Sequence, residues 1–453
     1  MSATTAPPSA RRGVDGPPTA VQSDGPQRGG IIGLLLGAGV LAIGFTEFRP
    51  VLGGLGNLSD TLFLAAFALG AARWFFSVDQ RQLAALRDGL GEVQPLLWGG
   101  IALALGGAVA SFGSLLPSLS WSNTLKYVVA FCVWLPWVAY ASGRYLSLRQ
   151  VYVLYALSLG LVSAATLSDV LVRTQFGLWL VSGNKQSVID SIRSGRYGGP
   201  VVHPNSLGFV AAIGFALCLD VAGKARTWLP RIAASLGVLF HVAALFVSGS
   251  RSALVGVAAT CVIFLGFGLR VQKWRLLGLV AVSGVMLLGI AQIPVVQRFI
   301  PVNPITRLLQ SVGTRVEFEA DIARKADLQT VQDLLTRDPF AGYGMDNIGT
   351  TANPTIGFTL HNTILQSWMA GGLLGAIGVV WLYLAMLGLA WRAVRGRHPL
   401  ALGLFAASLS AVLIDQTQPH VYHRFTWFVA ALLVATLREV RLGSVTAMGV
   451  TPQ

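Results

Sequence analysis

The sequence predicts an all-α polytopic integral membrane protein, with about 12 transmembrane helices and one long outer loop between the ninth and the tenth. Three observations carry this expectation. Of 453 residues, 54% are hydrophobic and only 11% charged, whereas a soluble domain needs roughly 25% charged residues to coat its surface. The apolar residues fall in blocks of about 20, the length that crosses ~30 Å of hydrocarbon as a helix. Lys and Arg recur in every second connection, which is the charge asymmetry that orients membrane helices.

The first 29 residues are rich in Pro, Gly, Ser and Ala, cannot bury enough apolar surface to fold, and are expected to form a disordered cytoplasmic tail. The apolar block that follows ends in Thr46, Glu47, Phe48, Arg49 and Pro50 without a small-residue cleavage motif, so it reads as a retained helix rather than a signal peptide. Apolar stretches place helices near 31–46, 58–76, 95–112, 124–142, 151–171, 204–222, 230–248, 252–269, 276–294, 362–390, 399–415 and 424–437. The organisation expected is therefore a tail over 1–29, helices one to nine over 30–294, an outer loop over 295–361, helices ten to twelve over 362–437 and a second cytoplasmic tail over 438–453.

The basic residues test that frame. Arg73, Arg144, Arg149, Lys224, Arg226, Lys273, Arg392, Arg397 and Arg441 all fall on one side, which makes that side the cytoplasm and puts both termini there. A net charge of +14 and a pI near 10.3 raise the question of nucleic acid. Only five of the 33 basic residues are lysines, however, and they lie in short runs between apolar blocks rather than along one face, which excludes that class. Cys132, Cys218 and Cys261 lie inside apolar blocks with no paired spacing, and read as core residues.

The outer side keeps few basic residues, and those it keeps point to chemistry. Arg193 and Arg196 lie in a glycine-rich run, Arg193-Ser194-Gly195-Arg196-Tyr197-Gly198-Gly199-Pro200, followed by His203-Pro204-Asn205-Ser206 at the start of helix six. An arginine fork grips phosphate in a bidentate way that lysine cannot. Arg251, in Ser248-Gly249-Ser250-Arg251-Ser252, sits in a turn between helices seven and eight too tight to reach bulk water easily, and a rim charge of this kind is a functional-site hypothesis. The loop before helix ten shows helical periodicity from Val312 to Thr336, consistent with an amphipathic lid, with Arg315 near its start. Pro339-Phe340-Ala341-Gly342-Tyr343-Gly344-Met345-Asp346-Asn347 and then His361-Asn362 lead into helix ten. Imidazole is a fitting general base at neutral pH, and two arginines beside one base suggest a diphosphate substrate. In the last outer loop, His420 and His423 lie near Asp415, Gln416 and Gln418, but no further ligand completes a metal site, so Gln418, His423 and Arg424 read as lining for sugar hydroxyls or phosphates.

These residues resemble the bacterial O-antigen ligases, within the superfamily of O-antigen ligases, O-antigen polymerases and protein O-oligosaccharyltransferases. The resemblance rests on Ser250-Arg251-Ser252-Ala253, the Pro339 to Gly344 run, and His361-Asn362 followed by Gly371-Gly372-Leu373-Leu374-Gly375, in that order and with the long loop between them. It implies a multi-pass protein of the Gram-negative inner membrane with its active site facing the periplasm. The donor implied is an undecaprenyl-diphosphate-linked O-antigen and the acceptor a lipid A-core oligosaccharide. It implies an inverting, metal-independent transfer with no cofactor: His361 as general base, Arg196 and Arg251 as essential arginines, and Arg315 as a further one. Substrate contacts are expected from Arg193, His203, Asn205, Ser250, Tyr343, Asp346, Asn362, Gln418, His423 and Arg424. A transporter is the reading from another class, but no related halves and no matched pair of broken helices are evident in the sequence.

Overall fold

The computed structural model describes residues 30–45, 57–76, 80–172, 192–193, 195–267, 331–336, 339–345, 360–417 and 423–447, with single positions at 189, 278, 304, 307, 328 and 329. The expected helix at 276–294, most of the long outer loop, and Arg315, Asp346, Gln418 and His420 lie outside the described residues.

The described residues are helical throughout, apart from short connections. In chain order the helices are α1 Ile31–Ala42, α2 Leu58–Phe76, α3 Gln80–Phe112, α4 Pro117–Val128, α5 Leu135–Ala141 and α6 Leu148–Val172. There follow α7 Pro204–Lys224, α8 Trp228–Ser248, α9 Arg251–Phe267, α10 Thr363–Arg395, α11 Ala401–Asp415 and α12 Arg424–Ala447. A π-helical stretch, Val129–Trp134, joins α4 to α5 without a break, so Pro117–Ala141 acts as one span. Among the described residues six helices are long and apolar enough to cross a membrane: Gly91–Phe112, Pro117–Ala141, Leu148–Leu171, Pro204–Lys224, Trp228–Ser248 and Thr363–Arg395. Ile31–Ala42, Arg251–Phe267 and Ala401–Asp415 are apolar but shorter.

Several boundaries differ from those read in the sequence. Helix α3 begins at Gln80 rather than near 95, because Pro95 ends no backbone ladder here: its carbonyl receives the Trp381 indole N–H at 2.7 Å, and the helix runs through. Helix α1 stops at Ala42 rather than 46. Helix α10 contains a break the sequence did not announce, with Gly371 and Gly372 outside helical backbone angles.

The core places α7 at the centre, with Leu207, Phe209, Val210, Ile213 and Leu217 all fully buried. Helices α3 and α10 approach through small residues, as membrane helices do where van der Waals contact replaces hydrophobic drive. A Cβ at Gly378 would lie 2.6 Å from the Leu103 amide nitrogen, and one at Gly106 would strike the Gly371 carbonyl oxygen. Between α9 and α11 the contact is partly polar: Thr260 Oγ1 lies 3.0 Å from Ser410 Oγ, which donates to the Gly256 carbonyl at 2.8 Å.

Helix direction then sorts the bundle into two ends. The ends of α8 and α11 and the starts of α2, α7, α9, α10 and α12 lie at one end. Lys224, Arg226, Arg392, Arg397 and Arg438 lie at the other, so the alternation of basic residues read from the sequence is an asymmetry between the two ends of the bundle.

Candidate functional site

At the end of the bundle poor in basic residues, two groups of side chains flank the last turn of α11. The first is built on the α8–α9 turn. Helix α8 closes at Gly249, whose φ of +63° is the left-handed conformation that ends a helix with least strain in glycine. Ser248 Oγ donates to the Leu245 carbonyl at 2.7 Å and accepts from the Ser250 amide at 3.2 Å, so the tight turn satisfies much of its own backbone. Arg251 opens α9 from this turn, half-buried, and Ser250 beneath it is buried.

Arg196 reaches the same turn from the α6–α7 connection. Its Nε donates to the Ser248 carbonyl at 2.9 Å and its Nη2 donates to Asn205 Oδ1. Asn205 is itself placed by the helix start: Pro204 occupies the first turn and His203 Nδ1 accepts from the Asn205 amide at 3.2 Å. The backbone follows suit, with the Tyr197 amide donating to the Val247 carbonyl at 3.1 Å. A third arginine completes the group: Arg307 Nη1 donates to the Gly249 carbonyl at 2.8 Å. Sequence reasoning passed over Arg307, although its position in the outer loop made it one of the basic residues the charge asymmetry leaves unexplained. Two guanidinium groups, those of Arg196 and Arg307, thus donate to one four-residue turn whose last residue is Arg251, and clustered arginines of this kind can stabilise an anion through charge and through planar N–H donors together. Arg193 lies nearby in sequence and is exposed.

The second group is built on the start of α10. Asn362 caps the helix, its Oδ1 accepting from the Leu365 amide at 3.0 Å, and its Nδ2 donates to the Gln416 carbonyl at 3.1 Å. Thr363 Oγ1 donates to the Asp415 carbonyl at 2.8 Å, while Asp415 Oδ2 accepts from the Tyr383 hydroxyl at 2.9 Å. Asn362 therefore has a positioning task, and it fixes His361, half-buried one residue earlier, beside the end of α11.

The break in α10 serves this placement. Gly372 has φ +62° and ψ −163°, a conformation essentially confined to glycine, and a Cβ there would strike the Phe340 carbonyl oxygen. Into the break docks the 339–345 loop: the Tyr343 amide donates to the Met369 carbonyl at 2.7 Å, Gly344 to Ala370 at 3.1 Å and Leu373 to Phe340 at 3.3 Å. From the other side Asn123 Nδ2 donates to the Met345 carbonyl at 2.7 Å. The Tyr343 hydroxyl donates to the Leu334 carbonyl at 3.1 Å, and Val331 packs with Leu360 and Met369. The helical turn over residues 331–336, the described end of the expected lid, is thereby held next to His361.

Helix α11 links the two groups. Its Ile414 packs against Gly256 on α9, and Gly208 on α7 abuts Ser250 and Ala253. Because α9 and α11 run antiparallel, Arg251 at the start of α9 lies toward the same end as Asp415 and Gln416, whose carbonyls the α10 start contacts. His361, Arg196, Arg251, Arg307, His203, Asn205, Ser250, Tyr343 and Asn362 are thus brought to one end of the bundle.

Two expected lining residues also make contacts within the protein. Arg424 forms a two-point ion pair with Asp60, Nε to Oδ1 at 3.0 Å and Nη2 to Oδ2, which ties α12 to α2. His423 stacks on Phe425, with ring centroids 6.0 Å apart at 18°. Among the described residues no three His, Cys, Asp or Glu side chains come together as a metal site.

Residues 236–380 match the family model described as Wzy_C: O-Antigen ligase. No curated protein matches the chain. The matched segment runs from α8 through the break in α10, so it contains Arg251, Arg307, Arg315, Tyr343, Asp346, His361 and Asn362, while Arg196, His203 and Asn205 lie upstream of it.

Proposed function

We propose, on the premise that residues 236–380 match the O-antigen ligase family model within a multi-pass membrane protein of the glycosyltransferase-like class, that the chain is an O-antigen ligase. It would move the glycan of undecaprenyl-diphosphate-linked O-antigen onto lipid A-core oligosaccharide at the periplasmic face of the inner membrane. The observation that carries this reading is the gathering of Arg196, Arg251 and Arg307 at one turn, at the same bundle end as His361.

The chemistry follows from what those groups do. A neutral His361 imidazole accepts the proton of the acceptor sugar hydroxyl as its oxygen attacks the anomeric carbon. The bond from that carbon to the diphosphate oxygen breaks on the opposite face, giving inversion, and the electron pair leaves with undecaprenyl diphosphate. Arg196 and Arg251, with Arg307 beside them, stabilise the negative charge that develops there, the task in which preorganised donors contribute most. Arg315, Asp346 and Gln418 complete the expected substrate contacts, with Arg193 at the rim. No cofactor enters, and guanidinium groups take the charge-neutralising role that a divalent ion fills elsewhere.

The test is deletion followed by gel analysis of lipopolysaccharide. Loss of the whole ladder with full-length glycan retained on undecaprenyl diphosphate is the expected result. Core carrying a single repeat unit would reassign the chain to O-antigen polymerase, and an intact ladder with loss of protein-linked glycan to protein O-oligosaccharyltransferase.

A further inference from the structure

At the opposite, basic end of the bundle lies a cavity of 1040 Å³ between α6, α7 and α8. It belongs to neither group of residues described above. Its walls change character with depth. The mouth carries Arg149, Lys224, Arg226, His398 and Glu439, while the deeper walls are apolar and mostly small: Ala156, Gly160 and Ala164 on α6, and Ala233 and Gly237 on α8, with the larger Phe240 beside them.

Two of the residues at the mouth, Lys224 and His398, are already engaged. Lys224 pairs with Asp220 and donates to the Pro399 carbonyl, and His398 lies 3.1 Å from Glu439. Arg149 and Arg226 are exposed, and among the described residues no ion pair engages either. The mouth therefore presents two guanidinium groups to whatever enters.

The length of the cavity is informative. From Arg149 to Ala164 is 15 residues of helix, about 22 Å at 1.5 Å per residue. That is the thickness of one leaflet with its headgroups, about 20–22 Å. The cavity also opens sideways: Val153, Leu157 and Leu161, spaced four apart on α6, line it and remain 41%, 50% and 43% exposed. At Gly160 a Cβ would meet nothing within 4 Å, so the groove is open space rather than a packed seam.

A slot one leaflet deep, apolar within, open toward the hydrocarbon and closed at the surface by two arginines fits a single class of molecule. We propose that it holds one anionic glycerophospholipid of the leaflet at the basic end, acyl chain along α6 and phosphate between Arg149 and Arg226. Zwitterionic lipid offers the same chains but no net charge for the arginines, so selection falls on the headgroup.

Native mass spectrometry of the full chain, released from micelles containing equal amounts of phosphatidylglycerol and phosphatidylcholine with matched chains, tests this. One phosphatidylglycerol retained per chain in preference to phosphatidylcholine is the expected result. The double variant Arg149→Gln, Arg226→Gln should retain phosphatidylglycerol about 30-fold less well, since each basic residue near an anionic headgroup contributes about fivefold. Gly160→Trp, which fills open space, should lose both lipids while its helical circular dichroism stays at the wild-type value. Equal retention of the two lipids by the wild type, or unchanged phosphatidylglycerol retention in either variant, would overturn the proposal. The readout is binding alone, so it stands apart from any result on glycan transfer.

Discussion

Replacing Arg196 with lysine keeps one positive charge and removes the planar fork, which makes it the sharpest probe of the arginine group. The fork bridges two elements: Nε holds the Ser248 carbonyl at 2.9 Å and Nη2 holds Asn205, so the α7 start and the turn that presents Arg251 are locked together. A lysine ammonium, a point charge on one flexible stem, can satisfy one of these acceptors at a time. Losing a hydrogen bond from a charged donor costs about 1.5–3 kcal/mol. If the bridged turn is where the leaving diphosphate is stabilised, kcat/KM should fall about 10- to 150-fold. Asn205→Ala leaves the fork attached to Ser248 and removes one bond from the same charged donor, so it should cost a similar factor, about 10- to 150-fold. Because Asn205 acts through Arg196, the double variant should lie within about threefold of Arg196→Lys alone. The assay is transfer by purified protein from lipid-linked donor to core acceptor at matched protein amounts. Near-normal transfer by Arg196→Lys would refute the reasoning, as would a double variant whose loss is the product of the two separate losses.

His361→Ala should reduce transfer by about 10²–10⁴-fold, the usual contribution of a positioned base, and wild-type activity should fall as pH drops through the histidine range, where a protonated imidazole cannot accept the hydroxyl proton. A flat acid limb, or an alanine variant with wild-type kcat, would remove His361 from that role. Gly372→Ala should lower the thermal midpoint, since the residue's backbone conformation costs a side-chain-bearing residue about 1–3 kcal/mol and the added methyl strikes the Phe340 carbonyl; an unshifted midpoint in detergent would contradict the docked loop. Arg424→Gln should weaken the α2–α12 contact and be partly rescued by exchanging the pair as Asp60→Arg with Arg424→Asp, measured by the same melt; transfer lost without any change in melting would instead return Arg424 to the substrate. Alkaline phosphatase fused near Gln332 should be active and fused near Gly396 inactive, and the reverse pattern would invert the orientation.

How much of this was legible in the sequence depends on the range of the interaction involved. Helix starts are local events: His361-Asn362 reads as leading into helix ten, and α10 begins at Thr363, directly after that pair. The α8–α9 turn was equally plain, because Ser248-Gly249-Ser250-Arg251 interrupts two apolar runs with the polar and glycine residues a turn requires. Long-range pairings left no such trace. Asp60 and Arg424 are 364 positions apart, and nothing in either neighbourhood names the other, so the ion pair that ties α2 to α12 was not read from the sequence. The break at Gly371–Gly372 is not legible in the residue pattern for a related reason. A glycine pair in an apolar helix ordinarily signals close helix packing, and Gly371 does face α3, with the Gly107 amide 3.2 Å from the position of its missing Cβ. The second glycine answers a different demand: the Phe340 carbonyl must approach the α10 backbone, and only the folded loop discloses that. This division bears on the site itself. His361 is positioned from its own neighbours outward, through Asn362 and Thr363 onto the end of α11. The arginine group is positioned by the fold, from three connections that the chain separates by as many as 111 residues between Arg196 and Arg307. Substitutions that loosen α7, α8 or α9 should therefore damage the anion-stabilising group while leaving the base in place, and a loss of transfer with an unchanged acid limb in its pH profile would be the mark of that separation.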